Sequence, residues 1–275
     1  MKIRFSKMHG AGNDFIVSDH NYRGQAVSED AIRRICDRHR GVGADGLIFV
    51  MPTTNRDVDT PTDFQMVFFN CDGSRAEMCG NGLRCASLFA GTHLTDQKTI
   101  GFQTDAGVLQ TEITGDQEVK IELSILRQPE EAHIPEEGNF YFCNTGVPHT
   151  VGKVSDIDSV DVAVRGARVR YHSLFAPDGT NVNFIEKCHG NEGDYVRIRT
   201  YERGVEGETC ACGTGIAAAA ISLARFEEME APIRFITKDN DELKIEFLLN
   251  NNMLSSLTLT GPVVEVFRSE TGICC

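Results

Sequence analysis

The feature that most constrains this chain is a motif that occurs twice. Cys79-Gly80-Asn81-Gly82 opens the run Leu83-Arg84-Cys85-Ala86-Ser87-Leu88-Phe89-Ala90, and Cys212-Gly213-Thr214-Gly215 opens Ile216-Ala217-Ala218-Ala219-Ala220-Ile221-Ser222-Leu223-Ala224. Each is Cys-Gly-polar-Gly at the head of an apolar, alanine-tolerant helical run. A Gly-rich turn at a helix start leaves backbone N–H groups without intrahelical acceptors. Such a turn attracts anions and lowers the pKa of a thiol placed there. One copy is a weak signal, because free cysteine is often a small buried hydrophobe. Two copies, one in each half, point to a duplicated fold with one thiol per lobe.

The rest of the chain fits that frame. Its 275 residues are about two domains' worth, and 41% hydrophobic with 24% charged content marks it as globular. A net charge of −13 with no basic face argues against nucleic-acid and anionic-membrane partners. No apolar run approaches the ~18 residues of a membrane span, and Met1 to Lys7 alternates rather than forming a leader. A cytoplasmic location is therefore expected, with the ten cysteines reduced. No Cys-x-x-Cys pair occurs, so no metal is expected.

Alternation predicts strands at 1–8, Phe15 to Val17, Leu47 to Met51 and Phe64 to Asn70. Thr99 to Thr104 and Val108 to Thr114 flank Asp105-Ala106-Gly107 as a hairpin, and Glu118 to Leu123 is a further strand. Ser28 is the expected N-cap of a helix carrying Ile32, Ile35, Cys36 and His39, ended by Gly41 and Gly43. Residues 52–63 read as an exposed loop. Residues 126–138, with Pro129, Pro135 and four glutamates, read as a linker between domains. Beyond it come strands at Phe140 to Cys143, Thr150 to Val154, Asn181 to Ile185, Tyr195 to Tyr201, Ile233 to Thr237, Leu243 to Leu248, Leu257 to Thr260 and Val263 to Phe267. Strands outnumber helices, and each half has one conspicuous helix. The predicted class is α+β, an α/β roll in which a sheet curls round a central helix in each of two similar lobes.

If the lobes are related by a pseudo-two-fold axis, the two helix starts face each other across a cleft. The N–H groups around Gly80-Asn81 and Gly213-Thr214 would then hold one carboxylate, with a thiol on either side of its α-carbon. One thiolate removes the α-proton and the opposite thiol delivers one, which inverts the stereocentre. The helix dipoles stabilise the charge that builds on the carboxylate.

The chain resembles the diaminopimelate epimerases, a family of cofactor-independent two-cysteine epimerases. The resemblance rests on Lys7 to Phe15, Asp37 to Asp45, Phe69 to Ser74, both cysteine turns, Gly146-Val147-Pro148-His149 and Tyr201-Glu202-Arg203-Gly204. It implies two similar lobes with the substrate between them: 1–125, joined by the C-terminal tail of about 264–275, and 126–263. It implies epimerisation of LL-2,6-diaminopimelate to the meso form, for lysine and cell-wall synthesis, with neither pyridoxal phosphate nor metal, by a homodimer. By position, Cys79 and Cys212 are the acid–base pair, and Gly80, Asn81, Gly213 and Thr214 form the carboxylate cradle. Asn13 lies near the reacting centre; Asn70, Asn181, Glu202 and Arg203 hold the distal ammonium and carboxylate. Such a zwitterion needs both acceptors and donors, and arginine offers a planar fork. His149 and Glu202 tune the thiols. Cys71 and Cys85 read as packing residues, and Cys210, facing away from Cys212 in an extended segment, as non-catalytic.

Three positions depart from the family pattern. Gly46 stands where many members carry Gln, Val147 where many carry Asn, and Glu206-Gly207-Glu208-Thr209 is one residue longer than usual. Fewer polar partners in the pocket lining predict relaxed specificity, extending to glutamate. Two other readings stay open at this point: a two-thiol racemase of the proline or hydroxyproline type, and a non-catalytic redox or metal-binding thiol protein.

Overall fold

The computed structural model describes residues 2–19, 27–53, 62–123, 125–250 and 253–272. Residues 54–61 of the expected loop, and Cys274 and Cys275, lie outside the described residues. The chain divides into two compact units. One comprises the residues up to Ile121 together with those from Gly261 onward; the other is Glu122–Thr260.

In the first unit, β1 (Lys2–Gly10) pairs antiparallel with β2 (Asn13–Ser18), which lies parallel to β3 (Gly46–Pro52). Next, β3 pairs antiparallel with β4 (Phe64–Asn70), and β4 carries the short β5 (Arg75–Ala76) and runs parallel to β6 (Thr99–Thr104). Antiparallel β7 (Gly107–Gly115) and β8 (Glu118–Glu122) complete that side. Helix α1 (Glu29–Cys36) connects β2 to β3, and α2 (Gly80–His93) connects β5 to β6.

The second unit repeats this order. β9 (Arg127–Ile134), β10 (Gly138–Asn144) and β11 (Pro148–Lys153) are antiparallel in turn, and β11 lies parallel to β12 (Asn181–Gly190). β12 pairs antiparallel with β13 (Gly193–Glu202), which carries β14 (Gly207–Thr209) and runs parallel to β15 (Ile233–Ile236). β16 (Glu242–Asn250) and β17 (Met253–Pro262) follow antiparallel. Helices α3 (Val162–Arg170) and α4 (Gly213–Glu227) stand where α1 and α2 stand in the first unit. The counterpart of β9 in the first unit is β18 (Val264–Gly272), which pairs antiparallel with β1 and comes from the far end of the sequence.

Each sheet wraps around its longer helix. α2 packs on β1, β2, β3, β4 and β7; α4 packs on β9, β10, β11, β12 and β16. Such a helix is enclosed on all sides, which is why, Asn81 and Arg84 of α2 apart, its buried residues are apolar or small. Every residue from Asn81 to Ala90 of α2 and from Gly215 to Leu223 of α4 is buried. The four consecutive alanines Ala217 to Ala220 keep α4 thin enough for the sheet to close on it. This is the α+β roll with two similar lobes that the sequence predicts.

Several local expectations are corrected. The stretch 126–138 contains β9, an edge strand paired among the described residues with β10, and an edge tolerates Pro129 and exposed glutamates. Helix α3 was not expected. Its Gly166 is demanded by packing, since a Cβ there would stand 2.5 Å from Cβ of Tyr201. Ser28 does cap α1, its hydroxyl accepting from Ala31 N–H, but the helix ends at Cys36 rather than at the glycines. Asp37 stops it by taking the N–H groups of His39 and Arg40 on its own carboxylate. Cys85 is buried as a packing residue, whereas Cys71 is exposed. The eight cysteines among the described residues are free. No helix of the described residues is long and apolar enough to cross a membrane.

Candidate active site

Cys79 is the N-cap of α2, in extended conformation at φ −140° and ψ 121°. Its sulfur accepts from Gly82 N–H at 3.5 Å and lies 3.8 Å from Oδ1 of Asn13. Asn13 Oδ1 also accepts from Nδ2 of Asn81, at 3.2 Å. The other end of the Asn13 amide donates to Asp45 Oδ2 at 2.8 Å. Arg38 bridges Asp45 and Asp14, at 2.7 Å to each, and Lys7 closes on Asp14 at 2.6 Å. Burial would raise the Asp14 carboxyl, but hydrogen bonds and charge from Arg38 and Lys7 prevail and hold it far below the usual range. Strand β2 therefore delivers Asn13 to the thiol from a rigid ionic base. Arg84, fully buried, donates to Asn81 Oδ1 at 2.9 Å from within α2.

Cys212 is the N-cap of α4 at φ −122° and ψ 104°, and its side chain makes no capping hydrogen bond of the kind Cys79 makes. Its neighbour is the Thr214 hydroxyl at 3.4 Å, and that hydroxyl lies 2.9 Å from Nε2 of His149. The Thr214 carbonyl is held by the Thr145 hydroxyl at 2.8 Å. His149, fully buried, is pushed down to about 3, by burial first and then by the positive charge of Arg203. It stays neutral at ordinary pH and acts as a fixed dipole.

The four glycines of the twin turns divide by role. A Cβ at Gly80 would meet only Ile121 at 3.4 Å, and one at Gly213 only Leu259 at 3.5 Å, both ordinary contacts. Packing does not demand glycine there. At Gly82 it is tighter, 3.0 Å from Ile48, and at Gly215 it is impossible, 2.2 Å from Oδ1 of Asn183. The second glycine of each turn belongs to the fold; the first leaves the helix end open.

Asn181 turns its amide onto the protein itself, donating to the Pro148 carbonyl at 2.9 Å and accepting from Arg203 N–H at 2.8 Å. It so ties the residue before His149 to the Glu202-Arg203 turn. The added length at 206–209 has a structural use. Glu206, at φ 55°, accepts from Gly204 N–H at 3.1 Å, Tyr171 hydroxyl at 2.8 Å and Arg170 at 3.2 Å. Asn70 donates to the Ser74 hydroxyl at 3.0 Å. At Gly46 a Cβ would stand 2.5 Å from the Phe68 ring and 2.6 Å from the Phe69 carbonyl. Phe68, packed edge-on against Phe15 at 5.8 Å, fills that space. Val147 is half-buried. Sequence reasoning gave no role to Asp45, Arg38 or Asn183. An Asp directly before β3, an Arg just beyond α1, and a second Asn one pleat along from Asn181 were the available signals. Among the described residues, no group of three or more His, Cys, Asp or Glu side chains is placed to hold a metal ion.

A protein-family model described as diaminopimelate epimerase matches residues 5–124 and 141–266. The chain is 41% identical to a diaminopimelate epimerase of Aquifex aeolicus, over 98% of this chain and 97% of that one. It is 42% identical to one of Hydrogenobaculum, over 96% of each. Among solved structures it is similar to a phenazine biosynthesis protein of the PhzF family from Bacillus anthracis, with a TM-score of 0.73 at 15% identity, covering 99% of this chain and 100% of that chain. It is also similar to a probable proline racemase from Agrobacterium radiobacter, with a TM-score of 0.69 at 15% identity, covering 99% and 93%. Those two likenesses concern the fold alone.

Proposed function

The chain belongs to the diaminopimelate epimerase family, and we infer from that membership that it interconverts LL- and meso-2,6-diaminopimelate. It is an isomerase of lysine biosynthesis, and a cytoplasmic setting goes with that reading. The observation that carries the mechanism is the twin construction. Each unit makes a cysteine the N-cap of its most enclosed helix and follows it with a glycine that packing does not require. An open helix start is a carboxylate site, and a glycine lets a ligand approach the backbone.

In this proposal the N–H groups at Gly80-Asn81 and Gly213-Thr214 hold the α-carboxylate. One cysteine, as thiolate, takes the α-proton, leaving a carbanion delocalised into the carboxylate. The other, as thiol, gives its proton to the opposite face. The pair of sulfurs ends with protonation states exchanged, so the enzyme is poised for the reverse direction. Asn70, Glu202 and Arg203 recognise the distal ammonium and carboxylate, with Asn181 setting the Arg203 backbone. Glu202 and His149 tune the thiols. Incubation with LL-diaminopimelate in D2O without pyridoxal phosphate, followed by NMR, tests the reading. Exchange of the α-proton with inversion, lost in Cys79→Ala and Cys212→Ala, is the expected result; no exchange in the unmodified protein would overturn it.

A homodimer completes the proposal. β18 pairs with β1, and its Val266 and Phe267 are 55% and 46% exposed. An exposed strand with apolar side chains is a surface on which a second copy can pair. Sedimentation of the unmodified protein and of Phe267→Asp tests it: a dimer in the first and a monomer in the second is expected.

A further inference from the structure

The side chains behind Cys212 form a chain of hydrogen bonds with a direction. Asn183 sits on β12 and is fully buried. Its Nδ2 lies 3.1 Å from the Thr150 carbonyl and 3.2 Å from Nδ1 of His149, and its Oδ1 is 2.9 Å from the Thr200 hydroxyl. A carbonyl oxygen only accepts, so the nitrogen end of the amide must face it. That makes Nδ1 of His149 the acceptor and puts the ring proton on Nε2. Nε2–H then donates to the Thr214 hydroxyl at 2.9 Å. The hydroxyl's own proton is left for the Cys212 sulfur, 3.4 Å away.

A second observation shows that this arrangement is built rather than incidental. Gly215 is the one glycine of the twin turns that admits no side chain at all, because the Asn183 amide occupies the space 2.2 Å from where a Cβ would be. His149 Cε1 stands 3.4 Å from the same point. The corresponding glycine in the other turn, Gly82, packs instead on Ile48 and Met66. Cys79 draws its donor from a backbone N–H, Gly82, which needs no side chain to orient it.

We propose that Asn183 is a positioning residue for Cys212: by holding the ring proton of His149 on Nε2, it aims the Thr214 hydroxyl proton at the sulfur. The two thiols are thus steadied by different means, one by a helix N–H and one by a three-residue relay. A thiolate at Cys212 gains a donor that is already oriented when the charge forms. The ring does not compete as a base, since burial and the Arg203 charge keep it neutral, and Arg203 is the charged group that faces it. The inference rests on the reading of Cys212 as a reacting thiol.

Two readouts that need no diaminopimelate test it. With 15N-histidine labelling, the His149 ring, assigned by its loss in His149→Gln, is expected as the Nε2–H tautomer, unchanged between pH 5 and pH 9 (roughly the range over which an unperturbed ring titrates). Iodoacetamide labelling at fixed pH, resolved by mass spectrometry, then compares both thiols within one molecule. In Thr214→Val and Asn183→Ser, Cys212 is expected to react about tenfold more slowly, while Cys79 keeps its rate. Thr214→Ser, which retains the hydroxyl, is expected to restore the Cys212 rate. A ring proton on Nδ1 would overturn the proposal, as would an unchanged Cys212 rate in Thr214→Val. If Asn183→Ser fails to fold, the unmodified ring and the Thr214 pair still decide. A relay that passes both tests in a protein that exchanges no proton with diaminopimelate would leave this inference standing and remove the activity.

Discussion

Asp45 Oδ2 lies 2.8 Å from Nδ2 of Asn13, and that contact fixes which end of the Asn13 amide faces Cys79. Because the nitrogen is taken by a carboxylate, the oxygen is presented to the thiol and to Asn81. Asp45→Ala frees the amide to flip. Losing an orienting hydrogen bond to a charged group costs about 1.5–3 kcal/mol, so kcat/KM for LL-diaminopimelate is expected to fall by about ten- to a hundredfold. Steady-state kinetics checks this, with circular dichroism showing the fold retained.

His149 makes the fold acid-sensitive. Its folded value of about 3 lies below the ordinary 6.5, so between those values the unfolded chain binds a proton that the native one refuses. Stability from this group is complete above the unfolded value and is lost as pH falls toward the folded one, at about 1.4 kcal/mol per pH unit. Urea titrations from pH 7 to pH 4 should show this slope, reduced by about that amount in His149→Gln.

Gly46 and Phe68 compete for one space. Gly46→Gln drives a Cβ into the Phe68 ring and the Phe69 carbonyl. A loss of about 1–3 kcal/mol is expected from overpacking, and Phe68→Ala in the same chain should recover part of it. The relaxed specificity expected from fewer polar partners at Gly46 and Val147 is open to the same variant. Parallel assays with L-glutamate before and after Gly46→Gln check whether the wall governs the choice.

The glycines of each turn should separate stability from activity. Gly213→Ala and Gly80→Ala have room and are expected to keep thermal stability while losing activity by about tenfold or more, since the added methyl group stands at the helix mouth. Gly215→Ala is expected to unfold at lower temperature, by about 2 °C for each 1 kcal/mol lost. Scanning calorimetry beside kinetics separates the two.

Glu206 holds the turn that carries Glu202 and Arg203. Glu206→Ala removes the acceptor for Gly204 N–H, Tyr171 and Arg170 together. KM for diaminopimelate is expected to rise about tenfold with kcat little changed, because in the proposed site that turn binds the distal end. Arg203 should respond in the same sense.

Much of this was legible in the residues. Alternation located the hairpin of β6 and β7, Ser28 announced α1, and the repeated cysteine turns announced both central helices. What escaped notice had physical causes. β9 carries Pro129 and glutamates because it lies at an edge, and edge composition resembles that of a linker. α3 mixes three valines and a glycine, poor helix formers, with alanines and arginines, and its Gly166 is there for fit against Tyr201, although its Asp161 cap, accepting from Val164 N–H, was a usable sign. Asn183 was hidden because burial and partners, rather than residue type, give it a role. At Gly46 a sequence shows which side chain is missing but not which neighbour, here Phe68, stands beside it.

β18 gives the topology a temporal side. β1 ends at Gly10 and β18 begins at Val264, so the two strands leave the ribosome far apart. At about 5–20 residues per second, the interval is on the order of ten seconds to a minute. The Glu122–Thr260 unit has all its strands before β18 is made. During synthesis the first half of the chain must wait, with one flank of β1 bare, while the second half finishes. Chaperone capture and premature strand pairing should therefore concentrate on the part of the protein that is translated first.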